Sequence, residues 1–188
     1  VRIPHGDQGL NKIPEGVSDE QALFTGDLLS TGYWAAQLGE IRREDTVAVL
    51  GAGPAGLCAM MACRLYSPAR IIAVDRDDFR LDLAKKQGIA DVILNPGDCD
   101  VEKEIKKLTW GRGADCVLEA AGGEDTFELA WRSARPNGIV VAVAMYEKDQ
   151  ILPLPRMYGK NLIFKTGGVD ACHCDEILEL IAKGKLDA

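Results

Sequence analysis

The sequence predicts an α/β protein: a doubly wound, mostly parallel sheet of six strands with helices on both faces. Three observations lead there. From Thr46 onward, short β-branched or apolar runs alternate with amphipathic stretches, the rhythm of successive βα units. The first run, Val47-Ala48-Val49-Leu50, passes directly into the glycine-rich Gly51-Ala52-Gly53-Pro54-Ala55-Gly56 and then into the helical stretch Leu57-Cys58-Ala59-Met60-Met61-Ala62. With 188 residues and 47% hydrophobic content, the chain can bury one substantial core.

The elements follow in order. Ser18-Asp19-Glu20-Gln21 has the form of a capping box and starts a helix ahead of the sheet, while Gly26 and Gly32 interrupt the apolar pattern that continues to Leu38. Strands are expected at Thr46 to Leu50, Arg70 to Val74, Asp91 to Leu94, Asp115 to Glu119, Gly138 to Ala144 and Asn161 to Thr166, each a short apolar or β-branched run. Helices fill gaps between them: Ala55 to Tyr66 behind the glycines, Phe79 to Gln87 after the potential cap Asp77, and Glu124 to Ser133 after Gly122-Gly123. Right-handed crossovers put these helices on both faces. Pro136-Asn137-Gly138 and Leu152-Pro153-Leu154-Pro155 read as turn or extended connectors. The chain thus divides into a leader and annex helix, 1–39, and a sheet domain, 40–188.

Composition narrows the function classes. A net charge of −7 and a pI near 4.9 argue against nucleic acid, because phosphate backbones are held by clustered Lys and Arg. No apolar run approaches the roughly 18 residues that span a bilayer, and even Gly138 to Met145 reads as one buried strand. No membrane partner is expected. Six cysteines, Cys58, Cys63, Cys99, Cys116, Cys172 and Cys174, fall inside expected strands and helices rather than framing loops, which suits reduced thiols in the cytoplasm. The polar opening at Val1, with no charged and apolar leader, reads as a piece of a longer protein.

A glycine loop between a strand and a helix is the fingerprint of a dinucleotide-binding Rossmann fold. Gly51 allows the tight turn, Gly53 lets the backbone approach a pyrophosphate, and Gly56 permits close helix-to-strand contact; Pro54 and Ala55 open the helix whose N-terminal N–H groups and dipole face the phosphates. Asp75 closes the second strand 19 positions after Gly56, where a carboxylate can accept hydrogen bonds from the adenosine ribose. That favours NAD over NADP, although Arg76 and Arg80 weigh the other way. The competing readings are a ligand-free turn for the glycines and a helix cap for Asp75. In such sheets ligands lie at the carboxyl edge, so Ala120, Ala121, Gly122, Val143, Gly167 and Gly168, after the fourth to sixth strands, are expected to line the cofactor.

With Gly51 to Gly56, the preceding Thr25-Gly26-Asp27-Leu28-Leu29-Ser30-Thr31-Gly32-Tyr33, and Gly111-Arg112-Gly113-Ala114-Asp115 before the fourth strand, the chain resembles the coenzyme-binding half of zinc-dependent, medium-chain alcohol dehydrogenases over essentially its whole length. The resemblance implies that Asp27 stands where that family holds the third protein ligand of its catalytic zinc, usually Cys, and Asp in forms resembling secondary-alcohol and formaldehyde dehydrogenases. A carboxylate oxygen is an acceptable zinc ligand beside His and Cys. The alternative for Asp27 is a helix cap. Thr31 and Gly32 match the family's pair near the nicotinamide, which would give Thr31 a part in the catalytic site; ordinary helix packing is the alternative. Cys172-His173-Cys174 lacks the spacing of a structural zinc site and opens a helix, so packing is the better reading. His5 is assigned no role.

The implied activity is hydride transfer between a small alcohol or aldehyde and NAD, with zinc lowering the pKa of the alcohol. The family's Gly-His-Glu zinc segment and four-cysteine lobe are absent here, so the 188-residue chain alone is expected to be inactive, with 1–39 bordering the missing catalytic domain. The family's dimers pair their sixth strands, here Asn161 to Thr166, and an edge rich in Leu162, Ile163 and Phe164 favours a homo-oligomer. Two other readings stay open: a non-catalytic NAD-binding regulatory module, which needs no Asp27, and a zinc-free quinone reductase-like oxidoreductase, against which Asp27 and Asp75 both count.

Overall fold

The computed structural model describes residues 2–169 and 173–187. Its centre is one six-stranded sheet of β1 (Thr46–Leu50), β2 (Arg70–Val74), β3 (Val92–Leu94), β4 (Ala114–Glu119), β5 (Ala134–Ala142) and β6 (Ile163–Thr166). All five pairings are parallel and the spatial order is β3-β2-β1-β4-β5-β6. From β1 the chain winds outward to β2 and β3, then returns to the other side of β1 for β4, β5 and β6. This is the doubly wound Rossmann order.

Alternation along β1 explains how both faces are covered. Val47 and Val49 enter one core with Leu29 of α3 (Leu28–Leu38), Ala59 and Met60 of α4 (Pro54–Arg64), and Ile177 and Ile181 of α9 (Cys174–Ala182). Ala48 and Leu50 enter the other core with Ile105 of α6 (Val101–Leu108) and Phe127 and Trp131 of α7 (Thr126–Ser133). A period of two sends neighbouring residues to opposite faces, so a strand buried on both sides reads as a continuous apolar run. Helix α5 (Asp78–Lys86) joins the first core through Leu81 and Ala84. Its N-cap is Asp77, whose Oδ1 accepts from the N–H of Phe79 at 2.9 Å.

Ahead of the sheet, Ser18 and Gln21 close the expected capping box on the short α2 (Asp19–Leu23). The apolar pattern is not interrupted at Gly32, because α3 runs through it unbroken. A Cβ there would come within 2.5 Å of the Ala59 backbone nitrogen. The glycine therefore sets how closely α3 and α4 pack and ends nothing.

Several expectations need correction. Helix α6 is absent from the sequence reading, although Val101, Ile105 and Leu108 repeat at helical spacing and Asp100 caps the first turn. A short α1 (Gly6–Gly9) precedes α2, and α8 (Leu154–Met157) occupies part of the expected Leu152 to Pro155 connector, with Pro155 in the first turn where its missing N–H costs little. Strand β5 starts four residues early and ends two early. Its register slips between Ala114, opposite Ala134, and Cys116, opposite Ile139, so Pro136-Asn137-Gly138 bulges out within the strand. Asn137 adopts a left-handed conformation there, φ 57°. Cys99 lies in a turn rather than a helix or strand. Cys172 lies outside the described residues.

Candidate functional site

The strand order reverses between β1 and β4, and the crevice beyond their carboxyl ends is where doubly wound sheets bind ligands. A cleft of about 940 Å³ opens there. Its walls include Leu50, Gly51 and Gly53 from the β1 end, Val74, Asp75 and Arg76 from the β2 end, Ala120 and Ala121 from the β4 end, and Arg132 of α7. Of the residues singled out from sequence, Gly51, Gly53, Asp75, Ala120 and Ala121 meet at this cleft. Gly122, Val143, Gly167 and Gly168 are not among its walls; they follow β4, β5 and β6 farther along the same carboxyl edge.

The two later glycines of the loop do different work. A Cβ on Gly56 would sit 1.9 Å from the Gly51 carbonyl oxygen. The first turn of α4 therefore rests directly on the loop, whatever occupies the cleft. A Cβ on Gly53 would meet nothing nearer than the Arg80 guanidinium at 3.9 Å. Gly53 is the N-cap of α4 in an extended conformation, followed by Pro54, which has no N–H to leave unpaired. No acidic side chain occupies the first turn, and of the α4 opening only the N-cap Gly53 lines the cleft; Pro54, Ala55 and Gly56 are not among its walls.

Asp75 does not cap a helix. Its Oδ2 accepts from the Ala52 N–H at 2.6 Å and its Oδ1 from the Asp77 N–H at 2.9 Å, which ties the end of β2 to the glycine loop. Arg80 reaches over from α5, 3.6 Å from Asp77 and 4.0 Å from Asp75. Across the cleft Arg132 pairs with Glu102 of α6 at 2.6 Å. Burial opposes ionisation of Glu102, but Lys106 and Arg132 outweigh it and hold the carboxyl below its usual range.

Sequence reasoning missed Glu119. It ends β4 fully buried, and its Oε1 accepts from the N–H groups of Ala121 and Gly122, both at 2.9 Å. Tyr146 donates its hydroxyl to Oε2. Burial and that bond push the Tyr146 hydroxyl far above its usual pKa. The available signal was a charged residue closing the apolar run Cys116-Val117-Leu118.

Asp27 and Thr31 lie at the opening of α3. Asp27 is exposed, its side chain caps no helix amide, and it accepts from the Thr31 hydroxyl at 3.2 Å. Among the described residues no group of three His, Cys, Asp or Glu side chains could hold a metal ion. One carboxylate does not make a zinc site, so the described residues do not by themselves fit that metal. His173 stacks at an angle on Tyr33, 5.6 Å between ring centres, and its Nδ1 lies 3.2 Å from Glu176. Cys174 donates to the Thr25 carbonyl at 3.2 Å. Both residues are engaged in packing the start of α9 against α3 and the segment that leads into it.

The profile of the zinc-binding dehydrogenase family matches residues 54–180, more than half of the chain. The chain belongs to that family. An alcohol dehydrogenase of Cupriavidus necator is 45% identical over 154 residues, covering 82% of this chain and 42% of its own length. The NADP-dependent isopropanol dehydrogenase of Thermoanaerobacter brockii is 35% identical over 165 residues, 87% of this chain and 47% of that enzyme. Among solved structures, the alcohol dehydrogenase TADH from Thermus sp. ATN1 superposes with a TM-score of 0.92 at 35% identity, covering 98% of this chain and 53% of that one. This member of the family spans about half the length of the relatives it matches.

Proposed function

We propose that this chain is the NAD(H)-binding part of a zinc-dependent alcohol or aldehyde dehydrogenase, in which hydride passes between a small alcohol and NAD. The observation that carries the reading is the open slot at Gly53. It lies at the N-terminus of α4, whose first turn holds no acidic side chain, in a cleft whose β2 side is closed by Asp75. In this reading the pyrophosphate lies over Gly51, Gly53, Pro54, Ala55 and Gly56, and the adenosine ribose lies against Asp75. The nicotinamide half runs along Ala120, Ala121, Gly122, Val143, Gly167 and Gly168. Asp75 favours NAD because a 2′-phosphate would meet its carboxylate.

Residues 1–39 border a catalytic domain that the chain does not include, and 40–188 form the cofactor domain. Asp27 supplies one zinc ligand to a site completed by that other domain, with Thr31 beside it toward the nicotinamide. Zinc there would supply Lewis-acid activation of the alcohol. The exposed edge of β6, with Ile163 48% accessible, supports self-association through that strand. Among the described residues no helix is long and apolar enough to cross a membrane; the free thiols suit a cytoplasmic setting.

The test is titration of the chain with NADH and separately with NADPH, repeated with Asp75→Ala. Micromolar NADH binding, much weaker NADPH binding and a flattened preference in the variant are expected. Failure to bind either nucleotide would remove the reading. The chain alone should also give no alcohol-dependent NADH formation, and appreciable turnover would refute the division of labour between domains.

A further inference from the structure

Glu119 is the fully buried acid among the described residues, and everything it holds lies on the carboxyl edge of the sheet. Its side chain takes the N–H groups of Ala121 and Gly122 from the loop after β4, and the Tyr146 hydroxyl from the loop after β5. Its main-chain carbonyl takes the N–H groups of Val143 at 2.9 Å and Ala144 at 3.2 Å from that same second loop. The two loops also press directly on each other: a Cβ on Gly122 would stand 2.8 Å from the Met145 carbonyl oxygen. Tyr146 is steadied by an edge-on contact with Phe127, 6.3 Å between ring centres. A buried carboxylate is tolerated only where it is densely hydrogen-bonded, and here every bond of the carboxylate goes to a loop at the carboxyl edge of the sheet.

We infer that Glu119 and Tyr146 are positioning residues that lock the loops after β4 and β5 into one wall for the nicotinamide half of the dinucleotide. The inference rests on the proposed NAD(H) reading of the cleft. The two halves of a dinucleotide lie on opposite sides of the switch point. The adenosine half therefore meets Asp75 and the glycine loop, which are tied by the Asp75 bonds to the N–H groups of Ala52 and Asp77 rather than through Tyr146. Loosening the Glu119–Tyr146 tie weakens the dinucleotide and leaves the mononucleotide alone. Tyr146→Phe removes only the hydroxyl and keeps the packing on Phe127.

The experiment measures NADH and AMP affinity of the unsubstituted chain, Tyr146→Phe and Glu119→Gln by calorimetry, with amide hydrogen exchange at Ala121 and Gly122. For Tyr146→Phe, NADH binding should weaken roughly five- to tenfold, the net scale of one lost intramolecular hydrogen bond, with AMP affinity unchanged within about twofold and faster exchange at both amides. Glu119→Gln keeps an oxygen for the two amides and a polar partner for Tyr146, so it should rescue most of the NADH affinity. Unchanged NADH affinity in Tyr146→Phe, or equal losses for AMP and NADH, would overturn the inference while the NAD(H) reading stands. No NADH binding by the unsubstituted chain would overturn both.

Discussion

Replacing Gly53 and Gly56 separately with Ala distinguishes space kept for a ligand from space filled by the chain. At Gly56 the added methyl would lie 1.9 Å from the Gly51 carbonyl oxygen, inside any permitted contact, and neither the helix nor the loop can yield without moving the other. Overpacking of this kind costs about 1–3 kcal/mol or more. For a domain of this length that corresponds to a loss of roughly 2–12 °C in Tm. At Gly53 the nearest atom is 3.9 Å away and φ is −69°, so Ala is free of strain and the Tm should hold to within about 0.5 kcal/mol of stability. The same methyl would, however, stand where the pyrophosphate approaches the backbone. An overpacking cost of about 1–3 kcal/mol in the complex alone makes NADH binding roughly 5- to 150-fold weaker. Differential scanning calorimetry with and without NADH reads both effects on each variant. A Gly53→Ala chain that binds NADH like the parent would refute the placement of the pyrophosphate. A Gly56→Ala chain with unchanged Tm would refute the packing argument.

Other outcomes follow from the same geometry. Cys58, Cys63 and Cys116 are buried, and burial pushes the Cys58 thiol up to about 11 and the Cys63 thiol up to about 12. Mass spectrometry after mild iodoacetamide treatment at pH 8 should find these three unmodified until the chain is unfolded. Asp91 and Glu102 are partly buried, which opposes ionisation, yet Arg64 for the first and Lys106 with Arg132 for the second hold both below their usual values. Because the folded values are depressed, their contribution is present above the ordinary carboxylate range and is lost as pH falls below it. Urea midpoints should therefore drop from about pH 4 downward, and less steeply in Glu102→Gln; an identical acid profile in that variant would count against the assignment.

Legibility from sequence depended on how local the cause was. Strands β1 and β2 were read to the residue because an almost continuous apolar or β-branched run between turns, Thr46 to Leu50 and Ile71 to Val74, leaves little choice once both faces are covered. Helix α6 escaped because only Val101, Ile105 and Leu108 interrupt a run of Glu and Lys, so the segment looks like a solvated connector until a sheet stands behind it. The start of β5 escaped because Pro136 and Asn137 signal a turn, and a bulge absorbs that turn inside the strand. In the site, Gly53 and Asp75 were visible through their spacing from β1. Glu119 was overlooked: its burial comes from ending a central strand between β1 and β5, and its bond to Tyr146 from another loop leaves no local trace.

Folding order is constrained by the strand sequence 3-2-1-4-5-6. Leu50 pairs with Glu119, so the far wall of the cleft reaches the glycine loop only after the chain has travelled out through β2, β3 and their helices and back again. Closing so long a loop delays that parallel pairing relative to the neighbouring β1–β2 unit. A nucleotide consequently has no complete surface to meet until β4 has docked. Cofactor should slow unfolding of the finished domain without accelerating its formation, which makes this cleft a latch on the native state rather than a seed for it.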